Sequence, residues 1–321
     1  MFEPSSSNLA ILQFGTVTNR YFPRSSSSTA TVLPPPSPPL PHLSHVPNNA
    51  AIIIIGVLWQ GKTLLPRTAE TLAHLRSLGK HLLFVTNNST KSRVTYQKNL
   101  QDLGIPCEVN EIFCSAYSSA IYISRVLQLP RDKKVYVIGE SGIEEELAAE
   151  GITYISDGSG DMTPEDYDSF GPDEDVGVVL CGLDRTISYR KLARAYQYLR
   201  NPGTVFLATN IDSTFPTHGK LFPGAGAISA PLAYMTGRTP VSLGKPSQAM
   251  MDAIEGVLKL DKKRACMVGD RLDTDIRFGI EGSLGGTLAV LTGVSTEEEI
   301  LEEGAAVVPD VYLDKLCDIL G

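Results

Sequence analysis

Met267-Val268-Gly269-Asp270-Arg271-Leu272-Asp273-Thr274-Asp275-Ile276 is the stretch that decides how the rest of the chain is read. A short apolar run, Ala265 to Val268, meets a glycine and then three carboxylates, Asp270, Asp273 and Asp275. The spacing of Ile276, Phe278, Gly279 and Ile280 predicts a helix after them, so the whole reads as a buried parallel strand feeding a helix. In such sheets ligands gather outside the carboxyl ends of the strands, which places Asp270 where sites form. Carboxylates crowded there repel one another unless a cation sits between them, and oxygen-only ligands suit Mg²⁺. A second reading stands beside it: Asp273 caps the helix and the other carboxylates are solvated.

Other strand ends carry related signals. His81 to Val85 predicts a strand ending in Thr86-Asn87-Asn88-Ser89-Thr90, where a hydroxyl, two amides and a following helix N-terminus make an oxyanion-binding turn. The alternative is an ordinary helix cap by Ser89 or Thr90. Val241 to Leu243 leads into Gly244-Lys245-Pro246, a lysine held in a tight turn before a helix. Thr204 to Ala208 predicts a strand ending in Thr209-Asn210-Ile211-Asp212. Further strands are expected at 134–138, 176–180 and 287–291, and helices at 92–103, 115–128, 141–150, 192–199 and 311–320. The acidic, Gly/Pro-rich stretch 156–175 reads as a solvated loop. Alternating strands and helices imply an α/β fold with a mostly parallel, Rossmann-like sheet, and the middle of the chain reads as an inserted second α/β unit.

The 321 residues suffice for about two domains, with 42% hydrophobic residues to fill their cores. A net charge of −8 without a basic stripe argues against nucleic acid. No apolar run approaches the roughly 18 residues of a membrane span. Five scattered cysteines without a C-x-x-C pair read as reduced core thiols. Residues 1–49 are Ser- and Pro-rich, with no acidic residue between Glu3 and Glu70. They read as a disordered extension or a wrongly defined upstream sequence; a mitochondrial transit peptide is the alternative.

Ala51 to Trp59 predicts another buried strand, and it contains a trap. Gly56-Val-Leu-Trp-Gln-Gly61-Lys62-Thr63 satisfies the P-loop pattern, which requires Lys62 and Thr63 to open a helix. Leu64-Leu65-Pro66 follows, and the helical pattern starts only at about Thr68.

A hydroxyl with amides, a lysine and a carboxylate loop at successive strand ends are the parts phosphoryl transfer needs. Val85-Thr-Asn-Asn-Ser-Thr-Lys-Ser-Arg93, Gly244-Lys-Pro246 and Met267–Ile276, with Asp212–Pro216 and Phe222–Gly226, resemble the motifs of the haloacid dehalogenase superfamily. More narrowly they resemble its 4-nitrophenylphosphatase/phosphoglycolate phosphatase group, especially the fungal members. The resemblance covers about residues 56–321. It implies a hydrolase core at 50–113 and 223–321 with a large α/β cap inserted at 114–222. It also implies Mg²⁺, a small phosphate-ester substrate, a cytoplasmic phosphomonoesterase and a homodimer through the cap. By position, Thr86 and Asn87, with Asn88 and Asn210, would hold the phosphoryl group and Lys245 would neutralise its charge. Asp270 would bind Mg²⁺, supported by Asp275, and Asp184 and Arg185 would lie in the cap's substrate-specificity loop, 182–189.

The same resemblance exposes a gap. The family's first motif is Asp-x-Asp before Gly-Val-Leu-Trp, and this chain has Ile53 and Ile55 at the two aspartate positions. Isoleucine can neither form an aspartyl-phosphate, nor shuttle a proton, nor bind Mg²⁺. Three readings follow: a phosphatase whose N-terminal sequence is wrongly defined, a pseudophosphatase that binds without cleaving, or a P-loop NTPase.

Overall fold

The computed structural model describes residues 51–54, 58–60, 63–158, 160–217, 220–258 and 260–320. Positions 55–57, 61 and 62, which include Ile55 and most of the P-loop pattern, lie outside the described residues, as do 1–50. Of position 53, the backbone alone is described.

The chain divides into two compact units, residues 1–84 with 259–321, and residues 85–258.

The strands of the first sheet are β1 (Ala51–Ile54), β4 (His81–Thr86), β5 (Ile112–Cys114), β13 (Cys266–Gly269), β14 (Gly286–Val290) and β15 (Val311–Leu313). They lie in the order β15-β14-β13-β1-β4-β5. β1 is paired in parallel on both sides: Ile53 stands opposite Met267 of β13 and Leu83 of β4. The chain therefore leaves β1 for one neighbour and returns through the other, the switch point at which open α/β sheets place ligands. The four β-branched or small residues of β1 suit a central strand with neighbours on both edges.

Two short strands, β2 (Trp59–Gln60) and β3 (Thr63–Leu64), form an antiparallel hairpin ahead of helix α1 (Thr68–Ser77). Helix α2 (Arg93–Asp102) is capped by Ser92, whose side chain accepts from the Thr95 N–H. The expected cap at Ser89 or Thr90 is thus displaced, because three further residues of turn separate β4 from the helix. After β13 the chain forms a π-type turn, Leu272–Ile276, and helix α9 (Arg277–Glu281). Asp273 does not cap it; its carboxylate pairs with Arg271 at 3.0 Å. The helix expected at 311–320 is instead β15 followed by a 3₁₀ turn, Leu316–Leu320. Ile276, Ala289, Ile300, Val307 and Tyr312 close the core of this side of the first unit.

The second unit is built on a five-stranded parallel sheet in the order β12-β9-β8-β6-β7. Its strands are β6 (Lys134–Ile138), β7 (Tyr154–Ser156), β8 (Val176–Cys181), β9 (Val205–Ala208) and β12 (Val241–Ser242). An antiparallel hairpin, β10 (Thr214–Thr217) with β11 (Lys220–Pro223), was not expected from the sequence. Helices α3 (Ser115–Ile121), α4 (Ser141–Ala149), α6 (Tyr189–Leu199), α7 (Ala225–Thr236) and α8 (Gln248–Val257) complete the unit, with the short α5 (Pro164–Ser169) inside the stretch read as a loop. Tyr136, Val179, Phe206, Leu199 and Leu232 pack one core from the sheet, α6 and α7. The last helix is α10 (Glu297–Leu301). Among the described residues no helix is long and apolar enough to cross a membrane.

Candidate active site

In the second unit, β4 delivers Thr86 and Asn87 at its carboxyl end. Thr86 Oγ1 accepts from the Asn88 N–H at 3.2 Å, which folds the turn back on itself. The exposed Asn88 side chain closes the next turn, accepting from the Thr90 N–H and hydroxyl, both at 2.8 Å.

Asn87 does something the sequence did not announce. Its amide oxygen accepts the Lys245 N–H at 2.7 Å, and its amide nitrogen donates to the Lys245 carbonyl at 3.0 Å. The side chain thus pairs with the lysine's backbone as a neighbouring strand would. The same nitrogen reaches Asp212 Oδ2 at 3.1 Å. Asn210 Nδ2 and Ser115 Oγ donate to the Asn87 carbonyl at 2.7 and 2.6 Å. Lys245 is 3% exposed, and its ammonium donates to the Val85 carbonyl at 3.2 Å. A carbonyl acceptor fixes this strongly hydrated cation in place while the ammonium is withdrawn from water, where it interacts strongly with an anion.

Gly244 makes the approach possible. A Cβ there would stand 2.6 Å from the Thr209 carbonyl and 2.8 Å from Asn87 Oδ1. Gly224 and Gly226 play the same part for the 211–213 backbone, which their added Cβ atoms would overlap. The Phe222–Gly226 motif is therefore a packing requirement for the loop that carries Asp212.

Asp184 is 1% exposed and fully engaged: Lys191 Nζ donates to it at 2.6 Å, and the Thr186 N–H and hydroxyl donate at 2.8 Å each. It shapes loop 182–189 from within. Arg185 is exposed and bidentate to Glu140, at 2.6 Å on both arms, which raises its pKa.

In the first unit, Asp270 and Asp275 share one loop. Asp275 is 2% exposed, and its Oδ2 accepts from the Asp270 and Arg271 N–H groups at 3.1 and 3.3 Å. Asp270 Oδ2 accepts from the Val294 N–H at 3.1 Å, and its carbonyl from the Ser295 N–H. A Cβ at Gly293 would overlap the Asp270 carboxylate. Loop 292–295 was missed by sequence reasoning, although a glycine three residues past β14 and ahead of a helix was a usable signal. Among the described residues no three His, Cys, Asp or Glu side chains gather as a metal site. Two carboxylates on one loop nonetheless fit Mg²⁺, which is commonly held by one or two carboxylates with water and substrate phosphate completing the shell.

The comparisons agree with this chemistry. Residues 53–153 match the family model for haloacid dehalogenase-like hydrolases, and 242–319 match a second model of that kind. A 4-nitrophenylphosphatase of Schizosaccharomyces pombe is 53% identical over 82% of this chain and 90% of its own length. Phosphoglycolate phosphatase 2 of Arabidopsis thaliana is 42% identical over 83% and 89%. A glycerol phosphate phosphatase of Mycobacterium tuberculosis, solved in complex with magnesium, superposes with a TM-score of 0.72 at 27% identity, covering 86% of this chain and 77% of that one. The chain belongs to the haloacid dehalogenase-like hydrolases, among phosphoric monoester hydrolases of the 4-nitrophenylphosphatase and phosphoglycolate phosphatase group.

Proposed function

We propose that this chain keeps the phosphate-ester and Mg²⁺ sites of a phosphomonoesterase and, as written, lacks its nucleophile. The observation that carries the reading is the Asn87–Lys245 pairing, which fixes a buried ammonium beside an oxyanion-binding turn. Thr86 and the backbone of the 86–88 turn bind phosphoryl oxygens, and Lys245 offsets their charge. Asp270 would hold Mg²⁺, with Asp275 fixing the loop; the ion, when bound, would polarise the phosphoryl group. Arg185 lies in the cap loop that selects the rest of the ester, and Asp184 sets the shape of that loop. With isoleucine at 53 and 55, no carboxylate stands at either position to attack phosphorus or to protonate the leaving oxygen.

The described residues around the P-loop pattern favour the phosphatase reading over the P-loop one. Thr63 lies in β3, paired antiparallel with β2, and the first helix opens at Thr68 rather than at Lys62. A soluble phosphatase working in the cytoplasm, as a homodimer through the cap, completes the proposal on the strength of the resemblance.

The purified chain is expected to hydrolyse 4-nitrophenyl phosphate at background, with or without chelator. Magnesium-dependent turnover that is lost in Lys245→Ala would overturn the inactive reading. Calorimetry is expected to find weak Mg²⁺ binding without phosphate, since a shell carboxylate is missing; micromolar affinity would contradict it.

A further inference from the structure

Lys80 and Arg264 stand at the opposite end of the first unit's sheet from the carboxyl ends that carry the site. Lys80 immediately precedes β4 and Arg264 comes two residues before β13, the two strands that flank β1. The register is close to level, with Ala51 opposite His81 and Ile52 opposite Cys266. The two cations therefore bracket the start of the central strand.

Lys80 is 4% exposed, and among the described residues its ammonium has no hydrogen-bond partner. The buried Nε of Arg264 also has none. Burial first, and then the Arg264 charge, lower the pKa of Lys80. A buried ammonium that feels a second positive charge is costly and is normally relieved by an anion. The neighbouring turn, Lys262–Arg264, adds positive charge and is held against the sheet by the Gly285 N–H donating to the Lys262 carbonyl at 2.7 Å. Gly285 is required there, since a Cβ would overlap the Lys263 carbonyl.

We propose that Lys80 and Arg264 form a second oxyanion site, at the base of the six-stranded sheet, that takes a tetrahedral oxyanion such as sulfate or inorganic phosphate. Arg264 offers donors in a fork that matches such an anion, and Lys80 a point charge beside it. The site is independent of the phosphate pocket proposed above, and sulfate bound there would stabilise the first unit by mass action.

The test is thermal unfolding of the full chain with sodium sulfate against sodium chloride at matched ionic strength. The wild type is expected to gain roughly 3–6 °C more from sulfate than Lys80→Met does. Lys80→Met should already melt higher than wild type in chloride, because it removes an unpaired buried charge. Arg264→Gln should lose part of the sulfate response. Sulfate binding at Lys245 would shift wild type and Lys80→Met alike, so the difference between them isolates this site. Equal sulfate responses in all three proteins, or a Lys80→Met variant less stable than wild type in chloride, would overturn the proposal.

Discussion

At the scale of single residues, Asn87 shows how a side chain can serve a site through another residue's backbone. It accepts from one end of the Lys245 peptide and donates to the other, and Asp212 completes the arrangement. Asn87→Ala leaves a buried lysine turn without its pairing, and a loss of about 1–3 kcal/mol is expected in urea unfolding. Asn87→Asp tests the direction of the bonds. The introduced carboxylate cannot donate, so it would face Asp212 and the Lys245 carbonyl with like charge. It should destabilise at least as much as alanine near pH 7 and recover on acidification as the new carboxyl group takes a proton. A variant as stable as wild type at pH 7 would mean that the amide nitrogen contributes nothing. A buried thiol gives a quieter reading at this scale: burial pushes Cys114 up to about 12, which marks it as a core residue rather than a nucleophile.

At the scale of elements, glycines decide which loops can meet. Gly293→Ala should force the Asp270 carboxylate aside, at about 1–3 kcal/mol in stability. Gly256→Ala, in α8 with nothing within 4 Å of the new methyl, should be neutral or stabilising by about 0.5–1 kcal/mol. Denaturation midpoints of the two variants check the contrast, which vanishes if crowding at Gly293 is not the cause. The strands were legible because buried parallel strands are written as runs of β-branched residues, as in Val176–Leu180 and Lys134–Ile138. The hairpins were not. Two-residue strands carry no period, and Pro216 and Pro223 argue against a strand until an edge is known. Val311 to Leu320 has apolar spacing that a helix and a strand with a tight turn both satisfy, and pairing with β14 settles it as a strand. The motif loops were legible as chemistry, but the sequence could not show that Asn87 holds Lys245 or that Asp184 is buried against Lys191. Those are contacts between residues far apart in the chain or across a loop.

At the scale of the whole molecule, the residues proposed for catalysis can be tested together. β1 is held by backbone pairing to β4 and β13, which is indifferent to its side chains, so the fold tolerates isoleucine where chemistry would need aspartate. Residues two apart in a strand share a face, and the resemblance sets its two aspartates at positions 53 and 55. In Ile53→Asp/Ile55→Asp, the first introduced carboxylate would attack phosphorus and the second would protonate the leaving oxygen. Mg²⁺-dependent hydrolysis of 4-nitrophenyl phosphate is expected to appear and to survive Lys62→Ala made on top. A folded, silent double variant would discard the assembled site. Lys80, finally, makes stability a function of proton uptake. Its pKa lies below the ordinary 10.5 because burial, and then Arg264, disfavour the charged form. The unfolded chain therefore binds more protons than the folded one as pH approaches that value, and stability rises with pH through this window. As pH rises toward 10.5 the wild type should gain in melting temperature relative to Lys80→Met, so alkali, for this one group, acts as a stabilising ligand would.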